Sequence, residues 1–457
     1  MRLLSKLLVA AGAALVILVL GGCVWLWLAP PDLLRVGTGY AAKIVCSNVF
    51  LAGRDADDVL TDDVQAPGHP LLRLVGVDVD LDRRLVTADL AGFIAPSVAV
   101  YRDGLGCASV PDGDIASAQG VSAPVSEAVP SDDTVSWPEG ERVGAMDSRL
   151  STTLQDAALL GSAYRAVVVV KDGRIVGESY GAGFNAQTPL LGWSMAKSVN
   201  AVLAGKVAAD QGVDLDTEGL FPEWTGDRRA KIRLSDLLAM QSGLDFNEDY
   251  GAVTDVTRML YLQSDMAAYA RSVPAIVERG TRFNYSSGEA VLISKWWMSR
   301  FSDPKQALAY PRKALFDPIG MRSAVLEADA HGTLVGSSYL YATARDWARF
   351  GLLLAQGGVW DGKPIVPADF VTRMTTPTAA SGGVYGGAQA WRKGPGDEAD
   401  AHYGLPADVL WLLGHDGQSV AVIPSENLVV VRMGLTPSRG GYRPQRLVAA
   451  IRDALKR

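Results

Sequence analysis

The chain offers one pair of residues whose types and spacing could make a nucleophile. Ser194 and Lys197 lie in Gly192-Trp193-Ser194-Met195-Ala196-Lys197-Ser198. Residues three apart share a helix face. A serine hydroxyl is a weak nucleophile and needs a neighbouring base or positive field. The Lys197 ammonium and the helix N-terminus can steady an alkoxide forming at Ser194. The spacing alone is weak evidence. Ser302-Asp303-Pro304-Lys305 matches it too, and there Pro304 and its polar neighbours read as a turn. The plain alternative for Ser194 is a helix N-cap.

Two later segments sharpen the reading. Arg282-Phe283-Asn284-Tyr285-Ser286-Ser287-Gly288 supplies a tyrosine, and Leu413-Gly414-His415-Asp416-Gly417-Gln418-Ser419 a histidine beside two glycines. Singly, Tyr285 reads as half-buried packing and His415 as a surface turn residue. The three motifs in this order are far more specific.

The elements around them follow from pattern. Ala166–Val170 and Arg174–Tyr180 flank Lys171-Asp172-Gly173, a hairpin with a D-G turn. Asp147 to Leu160 reads as a helix, and a second helix runs from Ser194 to about Gln211. Residues 198–375 read as mostly helical, with capping signals such as Ser235 before Asp236-Leu237-Leu238. Ser419–Ile423 and Leu428–Met433 form a late hairpin, and Arg443–Leu455 a closing amphipathic helix. Strands at both ends with helices between give an α/β fold: an antiparallel sheet completed by the two ends, with a helical insertion. No internal repeat is visible.

On these motifs, residues 141 to 457 resemble the serine β-lactamases of class C and their relatives among penicillin-binding proteins, esterases and 6-aminohexanoate-dimer hydrolases. Ile232–Leu244 and Gly414–Pro424 share the likeness. The resemblance implies a β-lactamase-like sheet flanked by helices. It implies Ser194 as nucleophile and Lys197 as holder or acceptor of its proton. Tyr285 becomes the general base and then acid, its phenol pKa depressed by the Lys197 ammonium. The oxyanion hole is expected from the backbone N–H groups of Ser194 and Gln418, with Ser287, His415 and Gly417 lining the substrate site. An acyl-enzyme would then be hydrolysed by water. No cofactor and no metal are implied.

Two positions depart from the family pattern. Ser287 stands where β-lactamases carry an asparagine for the substrate amide, and His415 where they carry a lysine for its carboxylate. Both departures argue against a β-lactam and toward an uncharged small-molecule amide or ester. A charge from Arg392 or Lys393 would reverse that preference. The competing readings are a cell-wall D-Ala peptidase, a weak β-lactamase, and a silent binder of peptidoglycan fragments.

Residues 1–31 carry an address. Arg2 and Lys6 precede an uncharged run from Leu7 to Pro31, long enough to span a bilayer. An uncleaved anchor, a lipidated Cys23 after Leu20-Gly21-Gly22, and ordinary cleavage compete, and all three export the chain to the periplasm or cell envelope. Residues 35–113 read as short strands, a small β-rich module in which Leu72–Val79 and Leu85–Leu90 form a hairpin. Residues 114–140, rich in Ser, Ala, Pro and Asp, read as a linker. Cys46 and Cys107 either pair in an oxidising compartment or stay buried thiols. With 43 Lys and Arg against 50 Asp and Glu, the chain lacks the basic balance of a nucleic-acid binder. Scattered histidines at 69, 331, 402 and 415 argue against a zinc site. Gly37-Thr38-Gly39-Tyr40-Ala41-Ala42 mimics a dinucleotide loop but lacks a βαβ setting.

Overall fold

The computed structural model describes residues 2–66, 68–124, 132–437 and 440–456. Helix α1 spans Arg2–Leu28, and its Lys6–Leu28 stretch is long and apolar enough to cross a bilayer. The side chain of Cys23, the residue of the lipidation reading, lies outside the described residues. Pro30 and Pro31 separate α1 from helix α2, Asp32–Ala52, which ends on Gly53 in the left-handed conformation at φ 62°.

Helix α2 corrects the strand reading of residues 35–113. Gly37 and Gly39 lower its intrinsic helicity, but tertiary packing overrides propensity. Val36, Ala41, Ile44 and Val45 are buried, and an added Cβ at Gly39 would lie 3.2 Å from the Tyr261 Cβ. The glycine that mimics a phosphate loop is there for close packing. Behind α2 lies a four-stranded antiparallel sheet of β1 (Val75–Asp80), β2 (Leu85–Leu90), β3 (Ile94–Arg102) and β4 (Gly106–Ser109), in that order. The expected hairpin is present, with Val77 opposite Ala88. Residues 114–124 include a short helix, Ile115–Gly120, and Trp137 is buried.

The main sheet draws on both ends of the remaining chain. Strands β5 (Tyr164–Lys171) and β6 (Arg174–Tyr180) precede helices α3 (Ala196–Gln211), α4 (Ser287–Met298) and α5 (Ala344–Ala355). Then come β7 (Leu410–Leu413), β8 (Ser419–Ile423), β9 (Leu428–Gly434) and helix α6 (Pro444–Lys456). The sheet order is β7-β8-β9-β5-β6, antiparallel throughout. Alternation of side chains explains the continuous valine runs. Val168, Val170, Val429 and Val431 face α5, whereas Val167, Val169 and Val430 face Leu447 and Ile451 of α6.

The expected helix at Asp147–Leu160 resolves into turns, Ser148–Leu150 and Thr153–Gln155, and a four-residue helix, Ala157–Leu160. Asp147 and Asp156 explain the breaks: their carboxylates accept from the N–H groups of Arg149 and Ala158. Ser235 sits inside its helix rather than capping it. Arg233 holds the cap position, its N–H donating to Asp236. Asp303 and Pro304 start a helix, Pro304–Pro311, where a turn was expected.

Buried polar contacts fasten α2 and its sheet to the rest. Lys43 Nζ donates to Glu327 at 2.6 Å, and both side chains are shielded from solvent. Ser47 and the Cys107 N–H donate to the other Glu327 oxygen, at 2.8 and 2.6 Å. Asp63 accepts from Arg54 and from Arg165 of β5. A disulfide joins Cys46 of α2 to Cys107 of β4.

Candidate active site

Ser194 sits on a single turn, Trp193–Met195, that leads into α3. Trp193 is held at φ 49°, a left-handed conformation rare for a bulky residue. Gly192 before it has no alternative, because an added Cβ would fall 2.1 Å from the Trp347 ring. This kink leaves Ser194 partly exposed while Lys197 is 1% exposed.

Lys197 Nζ is in contact with three oxygens: Ser194 Oγ at 3.0 Å, Ser287 Oγ at 3.0 Å and the Ser337 carbonyl at 2.9 Å. Burial pulls its pKa down to about 8, and the nearby Glu248 charge pulls it part of the way back. Glu248 Oε1 lies 3.9 Å from Nζ. The same carboxylate accepts from the Ser287 hydroxyl at 2.5 Å and from the Ser287 N–H at 2.7 Å. Burial pushes the Glu248 carboxyl up, while Lys197 and Ser287 hold it down. The order is thus Ser194, Lys197, Ser287, Glu248. A lysine in this setting can hold or release a proton near neutral pH.

Tyr285 is brought to the same place, with its phenol close enough to Ser194 for the two to interact. The pKa shift expected for it is reversed. Burial and the Glu248 charge drive the phenol pKa well above its ordinary value. The Lys197 ammonium lies over the ring face, 4.9 Å from its centre, rather than beside the oxygen. The phenol thus holds its proton more tightly than the resemblance implies. Trp391 and Tyr385 pack against its ring at 5.1 and 6.0 Å.

The third motif abuts the Ser194 turn. An added Cβ at Gly414 would lie 2.3 Å from the Gly192 carbonyl and 2.8 Å from Gln418 Cβ. Asp416 and Gly417 make the turn with φ 56° and 83°. The Gln418 side chain turns inward, accepting from the Gly434 N–H at 2.9 Å. His415 is half-exposed, its ring 5.6 Å from that of Trp193 and 5.2 Å from that of Tyr250, with Asp416 3.5 Å away. Arg392 donates to the carbonyls of Ala407 and Val409, and Lys393 to those of Gly396 and Asp397.

Glu248 was missed by sequence reasoning. It lies in Asp245-Phe246-Asn247-Glu248-Asp249-Tyr250, directly after the family-like 232–244 segment, among three other acidic or amide residues. Nothing in its spacing separates it from them. Among the described residues, no group of three or more His, Cys, Asp or Glu could hold a metal ion.

A profile of the Beta-lactamase family matches residues 150–451. The chain belongs to the β-lactamase family. Solved structures agree on the fold. A protein assigned as a 6-aminohexanoate-dimer hydrolase from Bacillus anthracis is 21% identical, with TM-score 0.53, covering 64% of this chain and 78% of its own. A protein assigned as a β-lactamase from Bacteroides dorei is 18% identical, with TM-score 0.56, covering 68% of this chain and 100% of its own. EstCE1, a hydrolase with promiscuous acyltransferase activity, is 17% identical, with TM-score 0.52, covering 67% and 97%. The family profile leaves the first 149 residues of this β-lactamase-family chain unmatched.

Proposed function

We propose that this protein is a serine hydrolase of neutral esters or amides, with Ser194 as the nucleophile, Lys197 as its base and residues 141–457 as the catalytic unit. The observation that carries the reading is the buried Lys197, bonded to Ser194 Oγ at 3.0 Å and with its pKa lowered to about 8. About a tenth of such a lysine is neutral at pH 7. In that form Nζ takes the Ser194 proton as Oγ bonds to the substrate carbonyl carbon. The carbonyl π pair moves onto oxygen, where the N–H groups of Ser194 and Gln418 receive it. Contact between Gly414 and Gly192 supports this pairing by bringing the Gln418 turn beside Ser194. Collapse breaks the C–O or C–N bond, and the leaving group takes the proton from Lys197. Water then repeats the steps, releasing the acid and restoring Ser194.

His415 and Asp416 favour a neutral substrate, since a carboxylate placed there would meet Asp416 rather than a lysine. Arg392 and Lys393 are already engaged by backbone carbonyls. The α1 segment supports export and retention at the cell envelope, as does the Cys46–Cys107 disulfide, which persists in oxidising compartments. A fluorophosphonate probe tests the proposal. Wild type should be labelled on Ser194 and turn over short-chain esters or linear amides faster than β-lactams. An unlabelled, inactive protein would be a silent binder, and preferential β-lactam turnover would overturn the substrate assignment.

A further inference from the structure

A cavity of about 160 Å³ lies between helix α2 and the Ser194 turn. Leu34 and Val36 of α2, Leu72, Leu90 and Trp193 supply most of its apolar lining, and His69, His415 and Asp416 are its polar members. Tyr250, another wall, interacts with both Ser287 and Glu248, so the cavity abuts the Lys197 cluster. An apolar cavity of about 150 Å³ can take up a six-carbon ring from water.

The walls on the α2 side belong to segments that the family profile does not match. They are nevertheless fixed. The Lys43–Glu327 pair, the Asp63–Arg165 pair and the Cys46–Cys107 disulfide hold α2 and its sheet in place. One lining residue points to a source. Leu33 also lines the cavity and lies five residues beyond Leu28, the last residue of the bilayer-length helix. Five residues reach at most about 18 Å. Leu33 and Leu71, both lining the cavity, stand exposed. Apolar residues exposed together mark a contact with something apolar.

We propose that this cavity binds the unbranched hydrocarbon chain of a neutral ester or amide whose scissile bond rests at Ser194. The inference rests on the serine-hydrolase reading for the bond that is cut, but the binding of the chain is testable without it. The full-length protein in detergent is assayed with p-nitrophenyl esters from acetyl to decanoyl. kcat/KM should be at least tenfold higher for octanoyl than for acetyl. Leu34→Trp, which fills the cavity, should lower that ratio at least fivefold. Leu72→Ala, which widens it, should move the preference toward decanoyl and decides the matter if Leu34→Trp does not fold. A flat series in wild type, or an unchanged ratio in a Leu34→Trp protein shown folded by circular dichroism, overturns the proposal.

Calorimetric binding of N-octylacetamide to Ser194→Ala separates the two readings. Binding that weakens in the Leu34→Trp background upholds the cavity even if no ester is hydrolysed. Absence of binding overturns it even if short esters are. Two sources share this chemistry. Turnover of a long-chain ester held in phosphatidylcholine vesicles identifies the bilayer, whereas turnover confined to monomeric esters identifies free esters and overturns supply from the membrane.

Discussion

Two lysines in this molecule are buried beside a carboxylate, and they are built differently. Lys43 meets Glu327 directly at 2.6 Å, with Ser47 and the Cys107 N–H completing the shell. Lys197 stands 3.9 Å from Glu248, with Ser287 between them. Burial lowers both pKa values. Glu327 opposes that through charge and a hydrogen bond together, whereas Glu248 opposes it through charge alone. Direct contact keeps a charge pair whole and fastens two parts of the chain. The spaced pair leaves a lysine that can change protonation state near neutral pH, facing a partly exposed serine. The distance between the partners separates a fastening from a proton carrier.

The largest expected effect comes from removing the carrier. Ser194→Ala should abolish probe labelling and turnover, and Lys197→Ala should lower kcat by on the order of a thousandfold or more. Thermal unfolding of Ser194→Ala should match wild type. Full activity in either variant would end the comparison.

Next comes the fastening. Glu327→Ala leaves the buried Lys43 charge without its counter-ion, with Ser47 as its remaining hydrogen-bond partner, and breaking such a pair costs about 3–5 kcal/mol. Denaturant unfolding of the full chain measures it. A cost under about 1 kcal/mol would show that α2 is held by apolar packing alone.

A smaller effect sharpens the contrast through pH. In the proposed mechanism the reactive form is neutral Lys197, so kcat/KM should rise with pH through about 8. Glu248→Gln keeps a hydrogen-bonding partner for Ser287 but deletes the charge that raises the Lys197 pKa. The rising limb should then move to lower pH. A limb that stays, or moves to higher pH, would remove Glu248 from the account.

The smallest effect concerns substrate charge. His415→Lys should shift preference toward an analogue with a free carboxylate by about 1 kcal/mol, or about fivefold, for one half-exposed charge pair. Matched neutral and anionic substrates measure it. A wild type that already prefers the anionic member tenfold would show that another cation reaches the site.

Sequence alone determined the parts whose signal is local. The D-G hairpin of β5 and β6, the late hairpin of β8 and β9 and the apolar run of α1 are written in neighbouring residues, because turn chemistry and alternation act over a few positions. The Ser194–Lys197 pair was legible for the same reason, being one helical turn. Three things were decided only in the folded molecule. Helix α2 forms against the pull of Gly37 and Gly39 because packing outweighs propensity. The sign of the Tyr285 shift depends on burial and on Glu248, which is 37 residues away in sequence. Glu248 itself carries no motif. Its place beside Lys197 exists only because the loop at 245–250 closes over the start of α4, where its carboxylate meets the Ser287 N–H and hydroxyl. Electrostatics and packing act through space between residues distant in sequence, so no spacing rule could have reported them.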